Sequence, residues 1–389
     1  MIPYGRQKID AEDIKAVTKS LKQNLITTGP TTERFEKAIS KKTQSKYCVA
    51  TNSATSALHV SCLALDLKKG DWLWTSPNSF VASANCALYC GAKIDFVDID
   101  PSTYNLSVKA LKEKLKNAKK LKKLPKIIIP VSFAGQSCEM AEIKKLSKIY
   151  NFKILEDSSH ALGGKYKNQP IGNCKYSDIT VFSFHPVKMI TTGEGGVAVT
   201  NKIDLFNKMS QLRSHGINRK PKSSKNKINS SWHYEQQLLG YNYRMTDFQA
   251  ALGLSQLKKL DRFISERQKI FEIYNKNLKN LPIILPFIKK EMKSSLHLYV
   301  IKINKKNAEI IRNKLINYLM KFGIKTNLHY SPIHLQPYYR KLGFKKNYFK
   351  ESENYSKSAL SIPVYPGLKN KELKFIILKI STFFKNKIY

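Results

Sequence analysis

Between Tyr47 and Thr200 the sequence alternates between two kinds of segment. Short apolar runs read as strands at 47–50, 72–75, 94–97, 127–131, 152–156, 179–184 and 197–200. Longer stretches with helical spacing read as helices between them, at 54–65, 79–89, 107–119 and 139–150. Parallel neighbours need a crossover, usually a helix, so this alternation predicts an α/β fold. Its core is a mainly parallel sheet with helices on both faces. Ligands in such sheets bind beyond the carboxyl ends of the strands. Glu156-Asp157 ends the apolar run Phe152-Lys153-Ile154-Leu155, so Asp157 directly follows the strand at 152–156, which places it at such an end.

The flanking segments organise the rest. Asp10 to Gln23 reads as a helix capped by Asp10, and Gly29-Pro30 separates it from a second helix at Thr31 to Lys42. Asp247 to Asn277 is helix-rich, with Ala250, Ala251, Leu254, Leu257 and Leu260 at helical spacing. The remainder mixes short strands and helices. We expect a large domain over 1–260, with an N-terminal arm at 1–30, and a smaller α+β domain over 261–389. Lys220 to Ser231, rich in Lys, Ser and Asn, reads as a mobile loop.

Composition excludes some functions. No apolar run reaches the roughly 18 residues of a membrane span, and the start Met1-Ile2-Pro3-Tyr4-Gly5-Arg6 has no signal-peptide pattern. Cys48, Cys62, Cys86, Cys90, Cys138 and Cys174 include no C-x-x-C pair, so no metal site is expected and a reducing cytoplasm suits them. The formal net charge is +40, yet only nine of the 68 basic residues are arginine. Base and phosphate readers favour arginine forks, so a lysine-rich nucleic-acid-binding protein is the weaker reading. A solvated lysine surface and small anionic ligands satisfy the charge without nucleic acid or membrane partners.

The chemistry centres on Lys188, in Ser183-Phe184-His185-Pro186-Val187-Lys188-Met189-Ile190-Thr191-Thr192-Gly193-Glu194-Gly195-Gly196. A lysine in a turn between two strand-like runs, flanked by apolar and small residues, fits a partly buried amine of lowered pKa. With a strand-end aspartate, this is what a pyridoxal phosphate enzyme requires. The amine holds the aldehyde as a Schiff base, and Asp157 keeps the pyridine nitrogen protonated. Asn52-Ser53-Ala54-Thr55-Ser56-Ala57 offers hydroxyls and backbone N–H groups where a strand enters a helix, as a phosphate needs, though simple N-capping explains Ser53 and Thr55 equally. Ser183 is a second hydroxyl source. His160 either orients Asp157 or lines the ring pocket, or is a satisfied structural histidine. Phe80 either stacks on a ring or belongs to the core.

Three ordered motifs carry a resemblance. They are Asp157-Ser158-Ser159-His160-Ala161-Leu162-Gly163, the Lys188 run, and Gly240-Tyr241-Asn242-Tyr243-Arg244-Met245. With them the chain resembles the DegT/DnrJ/StrS sugar aminotransferases over nearly its whole length. The resemblance implies a pyridoxal phosphate-dependent transferase type I fold with a mixed, mostly parallel seven-stranded sheet, and a cytoplasmic homodimer. It assigns Lys188 and Asp157 to catalysis. It assigns Ser53, Ala54, Thr55, Phe80, His160, Ser183 and, from the neighbouring subunit, Asn242 to the cofactor. It implies substrate contacts at Tyr4, Thr28, His185, His329 and Tyr330. Relatives that act as 3-dehydratases carry histidine at the Schiff-base position, so Lys188 favours transamination. Within the family the motifs are most similar to transaminases of pseudaminic acid biosynthesis. These aminate C4 of a UDP-linked 4-keto-6-deoxy-N-acetylhexosamine with glutamate. The alternative is amination at C3, or of another dTDP-, GDP- or UDP-sugar.

Overall fold

The computed structural model describes residues 1–218 and 232–388, so the expected loop at 220–231 lies outside the described residues. The strand runs of the first half form one sheet. They are β1 (Tyr47–Thr51), β2 (Trp72–Thr75), β3 (Lys93–Phe96), β4 (Ile127–Ile129) and β5 (Lys153–Asp157). A short hairpin of β6 (Lys165–Tyr166) and β7 (Gln169–Pro170) follows, then β8 (Ile179–Ser183) and β9 (Gly196–Thr200). The seven-stranded order is β1-β9-β8-β5-β4-β2-β3. β5 pairs parallel with β4 and β8, and β2 pairs parallel with β3 and β4, while β9 runs antiparallel to β1 and β8. The start of β9 therefore lies at the same edge of the sheet as the carboxyl ends of the others.

Burial explains the strands. Ile154 and Leu155 on β5 and Val197, Ala198 and Val199 on β9 are fully buried, as expected of strands covered on both faces. The helices are α1 (Ala11–Leu21), α2 (Pro30–Thr43), α3 (Ala54–Ala64), α4 (Ala82–Tyr89), α5 (Val108–Lys120), α6 (Met140–Tyr150) and α7 (Ile203–Arg213). α1 begins at the expected cap, because the Asp10 carboxylate accepts the N–H groups of Glu12 and Asp13. α4 begins later than its sequence pattern suggested, which leaves Phe80 in the loop before it. Lys258 and Lys259 break the helix-rich stretch after Thr246 into α8 (Asp247–Leu257) and α9 (Leu260–Leu278).

Beyond the first sheet, β10 (Ile217–Asn218) pairs with β11 (Glu235–Gln236). The C-terminal part builds a second sheet from β12 (Ile283–Ile284), β14 (Tyr299–Ile303) and β15 (Ala359–Ile362), while β13 (Met292–Lys293) reaches back to pair with β6. The arm at the N-terminus docks onto this part: Ile2 bridges Ile324 and joins the core around Tyr299 and Ile301. Tyr4 is carried with it, since its carbonyl accepts the Val364 N–H at 3.1 Å.

Two helices start at the carboxyl edge of the sheet, and one glycine lets the first come close. A Cβ on Gly196 would lie 2.6 Å from the carbonyl carbon of Ser53 and against the Ala54 backbone, so only glycine admits the start of α3 there. The obstacle is backbone, which cannot step aside as a side chain can. We expect Gly196→Ala to cost about 1–3 kcal/mol by overpacking, read as a lower urea midpoint. An unchanged midpoint would show that α3 does not rest on Gly196.

Candidate active site

A cavity of about 450 Å³ opens at the carboxyl edge of the first sheet. Its walls come from distant parts of the chain and include Tyr4, Ser53, Ala54, Thr55, Phe80, Asp157, His160, Ser183, His185, Lys188, His329 and Tyr330. Of the residues expected to act at one site, two are not brought in. Thr28 is exposed and held at φ 55, beside the Thr27–Thr246 bridge. Asn242 is exposed and bridges Ser214, outside the cavity of its own chain.

Asp157 ends β5 with both carboxylate oxygens engaged. Ser83 Oγ donates to Oδ2 at 2.6 Å, and Ser159 donates to Oδ1 through Oγ at 2.6 Å and through its backbone N–H at 3.1 Å. Ser79 Oγ lies 2.7 Å from Ser83 Oγ and extends the chain. Donors aimed at both oxygens fix the orientation of the carboxylate. Successive strand residues face opposite ways, so Glu156 points to the other side. There it accepts from Ser132, Ser158 and Thr180, and burial raises its pKa.

Lys188 reaches the cavity from the loop joining β8 to β9. That loop is closed at its base. Phe184 N–H donates to the Gly195 carbonyl at 2.9 Å, and Thr192 N–H donates to the Phe184 carbonyl at 3.0 Å. Within it the Lys188 N–H donates to the His185 carbonyl at 2.9 Å, and Gly193 adopts φ 78, a left-handed turn that suits glycine. Desolvation lowers the Lys188 amine to about 8, with Asp157 opposing the shift.

Ser53 caps α3, its Oγ accepting the Ser56 N–H at 3.1 Å. The N–H groups of Ala54 and Thr55, in the first turn, have no partner within the helix. Together with the hydroxyls of Ser53 and Ser183, and the positive end of the helix dipole, they form an anion cradle.

Three histidines line the far wall, and all are held neutral. His160 Nδ1 accepts the Ala134 N–H at 3.3 Å, which puts the ring proton on Nε2, 3.2 Å from the Tyr330 hydroxyl. That hydroxyl oxygen then accepts from His160, so its own proton is free to donate elsewhere. His329 is pinned between Asn327 and Ser361, and burial pushes it down to about 3. Burial also pushes His160 and His297 well below the ordinary value, with Lys188 adding to the effect. Phe80 and Tyr330 lie with ring centres 6.2 Å apart and planes tilted by 52°, and Tyr4 packs on His329 at 5.0 Å.

Several participants escaped sequence reasoning. His297 lines the cavity and packs 4.4 Å from His160, and Glu194 and Asn327 also line it. Ser83 holds Asp157 from a position 74 residues earlier. The local sequences of Ser83 and His297 give no signal, whereas Glu194 stood inside the Lys188 run. Ser159 stood inside a motif already singled out.

A family model for the DegT/DnrJ/EryC1/StrS aminotransferase family matches residues 7–381. The chain is 39% identical to a UDP-4-amino-4,6-dideoxy-N-acetyl-beta-L-altrosamine transaminase of Campylobacter jejuni, over 97% of this chain and 96% of that protein. It is 41% identical to an uncharacterized protein of Methanocaldococcus jannaschii, over 96% and 95% respectively. Among solved structures it is similar to Helicobacter pylori PseC, an aminotransferase involved in the biosynthesis of pseudoaminic acid. The TM-score is 0.89 and the identity 32%, covering 99% of both chains.

The Lys188 environment yields a signed expectation. In the apoprotein, acylation of Lys188 should reach half its maximal rate near pH 8, against about 10.4 for an exposed lysine. Asp157 raises this amine's pKa, so Asp157→Asn should move the midpoint lower still. Peptide-resolved mass spectrometry across a pH series measures both. A midpoint that rises in Asp157→Asn would contradict the assigned direction.

Proposed function

Because the chain belongs to the DegT/DnrJ/EryC1/StrS aminotransferase family, we propose that it moves an amino group from L-glutamate to C4 of a UDP-linked 4-keto-6-deoxy-N-acetylhexosamine. Its cofactor is pyridoxal phosphate. The observation that carries this reading is one cavity holding an amine lowered to about 8 and a carboxylate clamped by hydroxyl donors, beside a helix start. The similarity to the Campylobacter transaminase supports the choice of sugar.

The residues present fit the cofactor. The Ser53, Ala54, Thr55 and Ser183 cradle suits a phosphate, Asp157 suits a protonated pyridine nitrogen, and Phe80 and His160 supply ring neighbours. When bound, pyridoxal phosphate supplies an electron-poor ring that stabilises negative charge on the amino-bearing carbon. Lys188 would hold the cofactor aldehyde in the resting enzyme. As a free amine it takes the proton from Cα of glutamate, and in the second half-reaction it delivers one to C4 of the sugar. A pKa near neutrality suits both directions. Tyr330, whose oxygen already accepts from His160, is placed to donate into the cavity, and His329, His185 and Tyr4 serve the sugar side.

We further propose a homodimer. Asn242 and Thr28 are exposed and lie outside the cavity of their own chain, and in this reading they serve the cavity of a second copy. All six cysteines are free thiols, which suits a cytoplasmic enzyme.

The deciding measurement is the visible absorbance of the purified, cofactor-loaded protein. Glutamate should bleach the cofactor band, and the arabino-configured 4-keto-sugar should restore it. Restoration only by another keto-sugar would keep the enzyme class and overturn the substrate. No band after cofactor is supplied would overturn the whole reading. Lys188→Ala should lose turnover by at least about 10³-fold, since both its anchor and proton roles vanish. Ordinary turnover in that variant would remove Lys188 from catalysis.

A further inference from the structure

Tyr330 offers the cavity a hydroxyl proton, yet the bonds made by that residue itself are long. Its backbone N–H donates to Asn78 Oδ1 at 3.2 Å, and its hydroxyl meets His160 Nε2 at 3.2 Å. Shorter bonds hold the chain on either side of it, and they come from one helix, Lys350–Ser358. Before Tyr330, the Tyr355 hydroxyl donates to the His329 carbonyl at 2.7 Å. After it, the single turn Ile333–Leu335 carries His334, whose Nε2 lies 3.0 Å from Glu353 Oε1. His334 Nδ1 is buried without a hydrogen-bond partner, so the ring proton sits on Nε2 and is donated to Glu353. Burial lowers the His334 pKa, with Glu353 opposing the shift, which suits a neutral ring. The same Glu353 oxygen accepts the Asn347 N–H at 2.7 Å. His334, Glu353 and Tyr355 are all buried, so water cannot take over a lost bond.

The helix is in turn fixed to the edge of the first sheet. Asp98, just beyond β3, accepts the N–H groups of Glu351 at 2.9 Å and Ser352 at 3.0 Å, and the Ser352 hydroxyl at 2.7 Å. These satisfy donors that the first turn of a helix leaves open. The loop itself meets the same edge where the Ile333 N–H donates to the Pro77 carbonyl at 2.9 Å.

We propose that Glu353 and Tyr355 are positioning residues for Tyr330. Neither lines the cavity. They fix the chain before and after Tyr330, and so set where its hydroxyl proton is offered. The inference rests on the transaminase reading, in which Tyr330 donates to a bound ligand. A group displaced by about 1 Å can cost on the order of 10²-fold in rate. Two hydrogen bonds remote from the ligand therefore bear on chemistry they never touch.

The test uses the full-length, cofactor-loaded protein carrying Tyr355→Phe, Glu353→Ala or Glu353→Gln, each with and without Tyr330→Phe. Tyr355→Phe keeps the buried ring and removes only the bond. Stopped-flow absorbance follows the cofactor band in both half-reactions. In the half-reaction that Tyr330→Phe slows, Tyr355→Phe and Glu353→Ala should each lower the rate about tenfold. On the Tyr330→Phe background the same changes should cost less than about twofold, because no hydroxyl is left to position. Glu353→Gln keeps an acceptor for His334 and should recover the rate to within about threefold. Equal losses with and without the Tyr330 hydroxyl would overturn the proposal. So would full rates in Tyr355→Phe and Glu353→Ala, or an active enzyme in which Tyr330→Phe slows neither half-reaction.

A second readout separates this inference from the transaminase reading. Burial raises the Tyr330 phenol pKa, and tetranitromethane attacks the phenolate. A loosened loop should nitrate at Tyr330 about tenfold faster in Tyr355→Phe and Glu353→Ala, measured by peptide-resolved mass spectrometry. Faster nitration in a protein whose band answers neither glutamate nor any keto-sugar would uphold the positioning and sink the transaminase reading. Unchanged nitration at Tyr330 would sink the positioning.

Discussion

The site depends on a carboxylate that cannot move. Asp157 is buried at the end of a central strand, and an unpaired charge there would cost several kcal/mol. Donors from two other places make it tolerable: Ser83 at the start of α4 and Ser159 in the turn that follows. The same bonds fix its orientation toward the cavity, across from an amine that desolvation has already weakened. Each group is set up by its surroundings before any ligand arrives, which is the sense in which a site is preorganised.

The sheet topology makes this possible. Because β9 runs antiparallel to its neighbours, the loop bearing Lys188 turns back at the same edge where β5 releases Asp157. Gly196, at the start of β9, lets α3 descend until its first N–H groups face the same space. Lysine, carboxylate and anion cradle are thus consequences of one strand reversal and one missing side chain.

The wall opposite the cradle works by withholding charge. His160, His297 and His329 would repel Lys188 if protonated, and burial keeps all three neutral. Fixed hydrogen bonds then decide which nitrogens carry protons, and so where Tyr330 can donate. The large positive charge of the chain stands apart from this. Most of its lysines are on the surface, where solvent screens them.

Much of this architecture was legible from local pattern. Strand–helix alternation, the cap at Asp10, the strand-end position of Asp157 and the glycine-rich run after Lys188 are short-range properties of the chain, written in periodicity and in residues with special backbone demands. The family resemblance rested on the same local motifs. Ser83 and His297 were not legible, because each is ordinary in its own segment and acquires a role only when the fold carries it to the cavity. Phe80 fell outside its expected helix because α4 starts two residues after it. Thr28, at a left-handed φ of 55, lies off the site of its own chain. The sequence by itself determined which elements form and which residues could do chemistry, since both follow from neighbours in the chain. Only the tertiary structure decided which protons are held where, because burial and hydrogen bonding between distant segments set those energies.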